Sequence, residues 1–155
     1  MKMKLKWLAL CLLAGFGLIQ FIGPARTNPA VVKDISANTP VPVEVAPLLH
    51  AACYDCHSYE TKWPWYAHVA PASWLVIHDV NEGRDNFNFS DWPDDPAWIA
   101  KRLKHINDEI DSHEMPPAKY TMMHPEARLT DAQRKAIMDW TEAAAKQTRS
   151  SSTNQ

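Results

Sequence analysis

The sequence predicts a small all-α domain of about four helices. The clearest helix begins at Pro96, with Asp95 as its N-cap. Its apolar residues are spaced four, three and four apart on one face: Ile99, Leu103, Ile106 and Ile110. Thr130 and Gln133 form a capping-box pair that opens the last helix. One side of that helix carries Ala136, Trp140 and Ala144. No segment alternates convincingly as a strand.

Two shorter helices are predicted earlier in the chain. The first covers about residues 43 to 54, and it tolerates Pro47 only in its first turn. The second covers about residues 73 to 82 and is expected to end at Gly83. Together with the two later helices, these make a helical domain from 43 to 148.

Composition favours one globular domain and excludes nucleic-acid binding. The 155 residues are 46% hydrophobic and 22% charged, which is typical of a folded chain. The formal net charge is -2 and no run of Lys or Arg forms a basic patch. Seven Trp in a short chain supply large buried areas, as suits a small domain around a flat apolar group.

The N-terminal 25 residues resemble a membrane anchor or a signal segment. Three lysines precede the stretch Trp7 to Ala25, which carries no charge. As a helix it would be roughly 28 Å long, close to the roughly 30 Å hydrocarbon core of a bilayer. Gly23-Pro24-Ala25 is a poor cleavage site. We therefore expect an uncleaved, single-pass anchor in a bacterial inner membrane, with the domain facing the periplasm.

The remaining segments are predicted to lack helices. Residues 26–42 contain Pro29, Pro40 and Pro42 and no helical period, so an extended Pro-rich tether is expected. The polar tail, residues 149–155, is expected to be disordered.

The motif that carries chemistry is Cys53-Tyr54-Asp55-Cys56-His57, a C-x-x-C-H sequence. Two thiols at this spacing can each bond one vinyl group on the edge of a porphyrin, and the adjacent imidazole then binds the iron. The motif predicts one covalent haem c, attached through Cys53 and Cys56 and bound by His57. A structural zinc site would need two more ligands, and a thioredoxin-type pair would need a βαβ context. A plain disulfide leaves His57 unexplained.

Met115 is the best candidate for the second iron ligand. Pro116 and Pro117 follow it, and they favour an extended backbone that can hold a thioether over the far face of a haem. His113 is the next candidate, and Met122 and Met123 come behind it. Arg84 and Lys62 are candidates to neutralise the haem propionates.

These residues lie in a sequence that resembles a known family. The order C-Y-D-C-H-S, W-P-W-Y, A-P-A-S-W, D-V-N-E-G-R and E-M-P-P is similar to the membrane-anchored haem-binding domain family of bacterial c-type cytochromes. The resemblance implies thioether bonds at Cys53 and Cys56 and proximal ligation by His57. The Met-Pro pair before the last helix resembles class I cytochromes c, which implies Met115 as the distal ligand.

The sequence therefore predicts an electron-transfer cytochrome and not an enzyme. Its iron would cycle between ferric and ferrous forms, and its partners would be the membrane and an unidentified redox protein. The alternative is a haem-based sensor or a peroxidase-like enzyme whose sixth ligand is labile. A third class is a module without haem, in which the two cysteines form a disulfide.

Overall fold

The computed structural model describes residues 2–153 of the chain. Within that range it is helical, and its only β-type pairing is an isolated bridge between Lys33 and Asp91. The all-α prediction is confirmed. The helices are α1 (Lys2–Ile19), α2 (Ala46–Ala52), α3 (Tyr54–His57), α4 (Ala72–Asn86), α5 (Pro96–Asp111), α6 (Ala118–Met123) and α7 (Asp131–Thr153). Short 3₁₀ turns cover Ile35–Ala37, Trp65–His68 and Pro125–Ala127.

The predicted helix starts have the expected capping contacts. The carboxylate of Asp95 accepts a hydrogen bond from the backbone N–H of Ala97 at 2.9 Å. Thr130 and Gln133 bond reciprocally, at 2.8 Å from the Thr130 N–H and at 3.3 Å from the Gln133 N–H. Each side chain satisfies backbone donors that a first turn leaves open, which is why the helices begin where the sequence indicated.

Helices α5 and α7 form the largest helix pair in the described chain. The four apolar residues predicted to share one face of α5 are all buried. Asn107 of α5 donates hydrogen bonds of 2.8 Å to the Met138 carbonyl and to the Thr141 hydroxyl of α7. The core that this pair closes includes Ile35, Leu49, Phe89, Trp92, Leu103, Ile110, Ile137 and Trp140.

The segment 26–42, predicted to be a tether, is packed on the domain. Its backbone is non-helical apart from the turn Ile35–Ala37, as expected. However, the Ile35 N–H donates to the Phe89 carbonyl at 2.9 Å, and the Ile35 side chain lies in the core at 1% exposure. The Lys33 carbonyl accepts a 2.9 Å hydrogen bond from the Trp92 N–H. The folded unit therefore begins before residue 43.

The predicted transmembrane anchor is wrong. Among residues 2–153, no helix combines the length and the apolar character that crossing a membrane requires. Helix α1 begins within the lysine-rich start and ends at Ile19, so its uncharged part is the 13 residues from Trp7. That part is only about 20 Å long, against roughly 30 Å of hydrocarbon. This finding also overturns the inner-membrane location that was inferred from the anchor.

Two further expectations differ from the structure. Helix α4 does not end at Gly83 but continues to Asn86. Helix α7 extends to Thr153, into the segment 149–155 for which disorder was predicted. Residues 154 and 155 lie outside the described part of the chain.

Candidate haem site

A cavity of about 410 Å³ lies between α3, α4 and the segment that runs from Met115 to His124. This volume is in the usual range for cofactor pockets. Three of the predicted site residues, Cys56, His57 and Met115, line it. The other lining residues include Ala52, Pro64, Ala72, Leu75, Val76, Val80, Gly83, Pro117 and Met123 on the apolar side and Asp55, Lys62, Tyr66, Asp79, Lys119, Tyr120 and His124 on the polar side.

His57 is held in the form that a metal ligand needs. The side chain is buried, and its Nδ1 lies 2.9 Å from the Gly83 carbonyl and 3.3 Å from the Phe87 carbonyl. A carbonyl only accepts, so Nδ1 must carry the proton and Nε2 keeps its free lone pair. The imidazole also stacks on Phe87, with the ring centres 4.0 Å apart and the planes 7° apart. Burial lowers the pKa of His57, which favours the neutral ring.

Gly83 provides the close approach that this arrangement needs. A Cβ at position 83 would lie 2.6 Å from the Cys56 carbonyl oxygen and 3.2 Å from the Cys56 Cβ. Only a glycine lets the backbone of α4 come this near to α3. That contact places the Gly83 carbonyl beside His57, so the glycine orients the imidazole through its backbone.

The two cysteines of the motif have different surroundings. Cys56 lines the cavity, whereas Cys53 is half-buried against the hydrophobic core and does not line it. Burial raises the pKa of Cys53 to about 12 and that of Cys56 to about 11. Both sulfurs are free thiols. No group of His, Cys, Asp or Glu within residues 2–153 could hold a metal ion such as zinc.

Met115 lines the cavity, and His113 does not. His113 has a positive φ of 63° just after α5, is exposed, and bonds through Nδ1 to the Asp111 carbonyl at 2.9 Å. Met123 also lines the cavity but is 53% exposed, and Met122, at 72% exposure, does not line it. The structure thus brings Met115 to the same cavity as His57 and places His113, the next candidate, outside it.

Two polar contacts join the Met115–His124 segment to the rest of the cavity. The Tyr120 hydroxyl donates to the Asp55 carboxylate at 2.8 Å, and Asp55 also accepts from the Lys62 N–H at 2.9 Å. The Lys119 ammonium bonds Asp79 of α4 at 2.8 Å. The segment therefore spans the cavity from the end of α5 to the opposite wall.

A third polar contact joins the Met115–His124 segment to the cavity wall, between His124 and Tyr66. The Glu126 carboxylate is 3.1 Å from Nδ1 of His124, which therefore donates to it. His124 Nε2 is left as an acceptor for the Tyr66 hydroxyl at 2.7 Å. The neighbouring Trp65 is 73% exposed.

Arg84, a candidate for the propionates, has other partners. Its guanidinium donates to the carbonyls of Ser58 and Thr27 at 2.8 and 2.9 Å. It also donates to the side chains of Asn28 and Thr61 at 3.0 and 2.9 Å. These bonds tie the N-terminal segment to the loop after the C-x-x-C-H motif. Lys62 lines the cavity and remains a candidate.

The residues present fit a haem iron. A neutral imidazole with its Nδ1–H fixed to carbonyls, a thioether and an apolar wall are the donor set and the surroundings that haem proteins use. His57 and Met115 would bind the iron, and Cys53 and Cys56 would supply sulfur to the porphyrin edge. Gly83, Phe87 and Asp55 support this set, and no local sequence pattern predicted their roles. Gly83 stood at the end of a predicted helix, a position that indicated helix termination and not close packing.

Comparisons with known proteins agree with this chemistry. The sequence model of the haem-binding domain family matches residues 14–143. The chain is also 26% identical, over 139 residues, to cytochrome c peroxidase Ccp of Escherichia coli (strain K12). The match covers 85% of this chain but only 29% of that protein, so the chain spans less than a third of this relative. No solved structure gives a significant match. The family match covers most of the chain, and the chain therefore belongs to the haem-binding domain family.

Proposed function

We propose that the chain is an electron carrier with one haem c, bonded to Cys53 and Cys56 and bound by His57 and Met115. The observation that carries the proposal is the cavity lined by Cys56, Met115 and His57, whose Nε2 is free. A haem bound there supplies one-electron exchange between ferric and ferrous iron. The chain itself would act as carrier and not as enzyme, and its partner would be another redox protein.

Each residue has a defined task in this proposal. His57 holds its proton at Nδ1, so it can bind iron through Nε2 without losing a proton. Met115 supplies a soft thioether, which favours the ferrous state, and the apolar wall acts in the same direction. With His57 and Met115 both holding the iron, no group in the cavity would be needed to transfer a proton to a substrate.

Covalent attachment is tested on denatured protein. Protein made in cells with a working cytochrome maturation system should keep its haem after denaturation, as seen by a haem stain on a gel. The variant with both Cys53→Ala and Cys56→Ala should lose that signal. Cys11→Ala, which changes the exposed cysteine of α1, is the control and should keep it. Absence of stain in wild type would refute a c-type haem.

The alternative is a peroxidase-like protein with a labile sixth ligand. The similarity to a protein named cytochrome c peroxidase favours it, although the match covers 29% of that protein. The ferric protein at rest discriminates between the two functions. A near-infrared charge-transfer band typical of sulfur ligation, lost in Met115→Ala, supports the carrier. Absence of the band together with rapid peroxide consumption would support the enzyme.

A further inference from the structure

The backbone of Met115 is held at both of its polar atoms. The Met115 N–H donates to the Glu109 carbonyl in the last turn of α5 at 3.1 Å. The Met115 carbonyl accepts a 3.0 Å hydrogen bond from Nη1 of Arg134, in the first turns of α7. The same nitrogen also donates to the Ile110 carbonyl at 3.1 Å. The guanidinium of Arg134, which belongs to α7, thus bonds both Met115 and the C-terminal end of α5.

The hydrogen bond from Arg134 restrains the backbone of Met115, from which the thioether side chain extends. Pro116 follows Met115 and has no N–H, so it adds no backbone donor to fix the segment. The contacts of Lys119 and Tyr120 lie four and five residues further along. Near Met115 itself, the Glu109 carbonyl of α5 holds the N–H, and Arg134 is the side chain that connects the Met115 carbonyl to α7.

We propose that Arg134 is the positioning residue for Met115, and that it keeps the thioether directed at the iron. The proposal rests on the proposed function, because it requires Met115 to be the distal ligand. A thioether is a weak ligand, so ligation depends on how little the side chain must reorganise to bind. Without Arg134 the carbonyl of Met115 is free to move, and the ligand should dissociate more often.

The simplest other role for Arg134 is to cap α5. A cation near the last carbonyls of a helix stabilises it without any effect on a ligand. A control for stability alone is therefore needed, and Asp95→Ala provides it. That change removes the N-cap of α5 and should destabilise the fold, yet Asp95 lies at the opposite end of α5 from the turn that bonds Met115.

The experiment uses the full-length haem-loaded protein. Arg134→Met should weaken or abolish the near-infrared sulfur band of the ferric protein and lower its reduction potential. Cyanide should bind to the ferric iron about tenfold faster or more, as expected for the loss of a charge-assisted hydrogen bond. Asp95→Ala should keep the wild-type band, potential and cyanide rate. An unchanged band and cyanide rate in Arg134→Met would refute the proposal, as would equal changes in Asp95→Ala.

Two further measurements ensure that the experiment can refute the role of Arg134 separately from the role of Met115. If Arg134→Met does not fold, Arg134→Gln is measured instead, because it keeps an N–H donor but ends two bonds short of the position of Nη1, which bonds both carbonyls. It should show a reduced band and faster cyanide binding, and wild-type values would overturn the proposal. Wild type and Met115→Ala are recorded first. A wild-type spectrum without the sulfur band refutes Met115 ligation itself, whereas a band that survives Arg134→Met refutes only the role of Arg134.

Discussion

Tyr120 couples the segment over the cavity to the C-x-x-C-H motif through one hydrogen bond. Its hydroxyl donates to the carboxylate of Asp55, which lies between the two motif cysteines. Burial, the charge of Asp55 and this bond together raise the pKa of Tyr120 above its ordinary value of 10.0. The hydroxyl therefore stays protonated in the folded protein at a pH where it ionises in the unfolded chain.

We predict that Tyr120→Phe makes stability less sensitive to alkaline pH. Above about pH 10 the unfolded chain releases the Tyr120 proton while the folded protein retains it, so the folded state loses stability as pH rises. Denaturant unfolding at several pH values from 8 to 11 should show a smaller alkaline loss in the variant. Met122→Leu, an exposed change on the same helix, is the control. A variant whose alkaline loss equals that of wild type would contradict this account.

At this scale, the sequence indicated the candidate ligands better than the groups that contact them. The C-x-x-C-H pattern makes Cys53, Cys56 and His57 candidates because covalent haem attachment requires such residues to be neighbours in the chain. Arg134 is 19 residues from Met115, and the Gly83 carbonyl is 26 residues from His57. These contacts depend on how helices pack, and no local pattern encodes them.

At the scale of elements, the approach of α4 to α3 depends on Gly83. The sequence rule that glycine ends a helix failed here, because tertiary contact overrides the local preference. The last turn is held by side-chain contacts with other parts of the fold: Arg102 of α5 donates to the Asn86 side chain at 2.5 Å, and Arg84 donates to the Ser58 carbonyl at 2.8 Å. Gly83 therefore serves packing and not chain termination.

We predict that Gly83→Ala destabilises the fold by about 2 kcal/mol or more. The added methyl would overlap the Cys56 carbonyl, which belongs to the backbone and cannot rotate away. The displacement of α4 should also move the Gly83 carbonyl away from Nδ1 of His57. The absorption spectrum of the ferric protein should then change. Gly17→Ala, on the exposed α1 with nothing within 4 Å, is the matched control and should be neutral. Equal stability of the two variants in denaturant unfolding would exclude this role of Gly83.

At the scale of the whole molecule, the N-terminal region has two unlike parts. Helix α1 contributes no buried residue, whereas the segment after it contributes Ile35 to the core. The sequence predicted both parts as separate from the domain. Apolar periodicity detects helices, but Ile35 lies in a short non-helical segment, so its burial left no periodic signal.

We predict opposite effects for two N-terminal deletions. Removing residues up to Ile19 should leave the free energy of unfolding within about 0.5 kcal/mol of the full chain, because no buried residue is lost. Removing residues up to Asn38 should cost at least about 3 kcal/mol, since a buried isoleucine and its backbone contacts are lost. Denaturant unfolding of identically prepared proteins measures both. A longer deletion as stable as the shorter one would place the domain boundary near residue 43 after all.

The raised pKa values of the two motif thiols also affect how long those thiols survive oxidation. Disulfide formation begins with attack by a thiolate, and at neutral pH a thiol with a pKa of about 11, such as Cys56, is ionised roughly a hundredfold less than an ordinary one. Higher intrinsic reactivity offsets part of this, leaving attack slower by about tenfold. Burial of the cysteines therefore lengthens the time for which a newly folded chain keeps both sulfurs reduced.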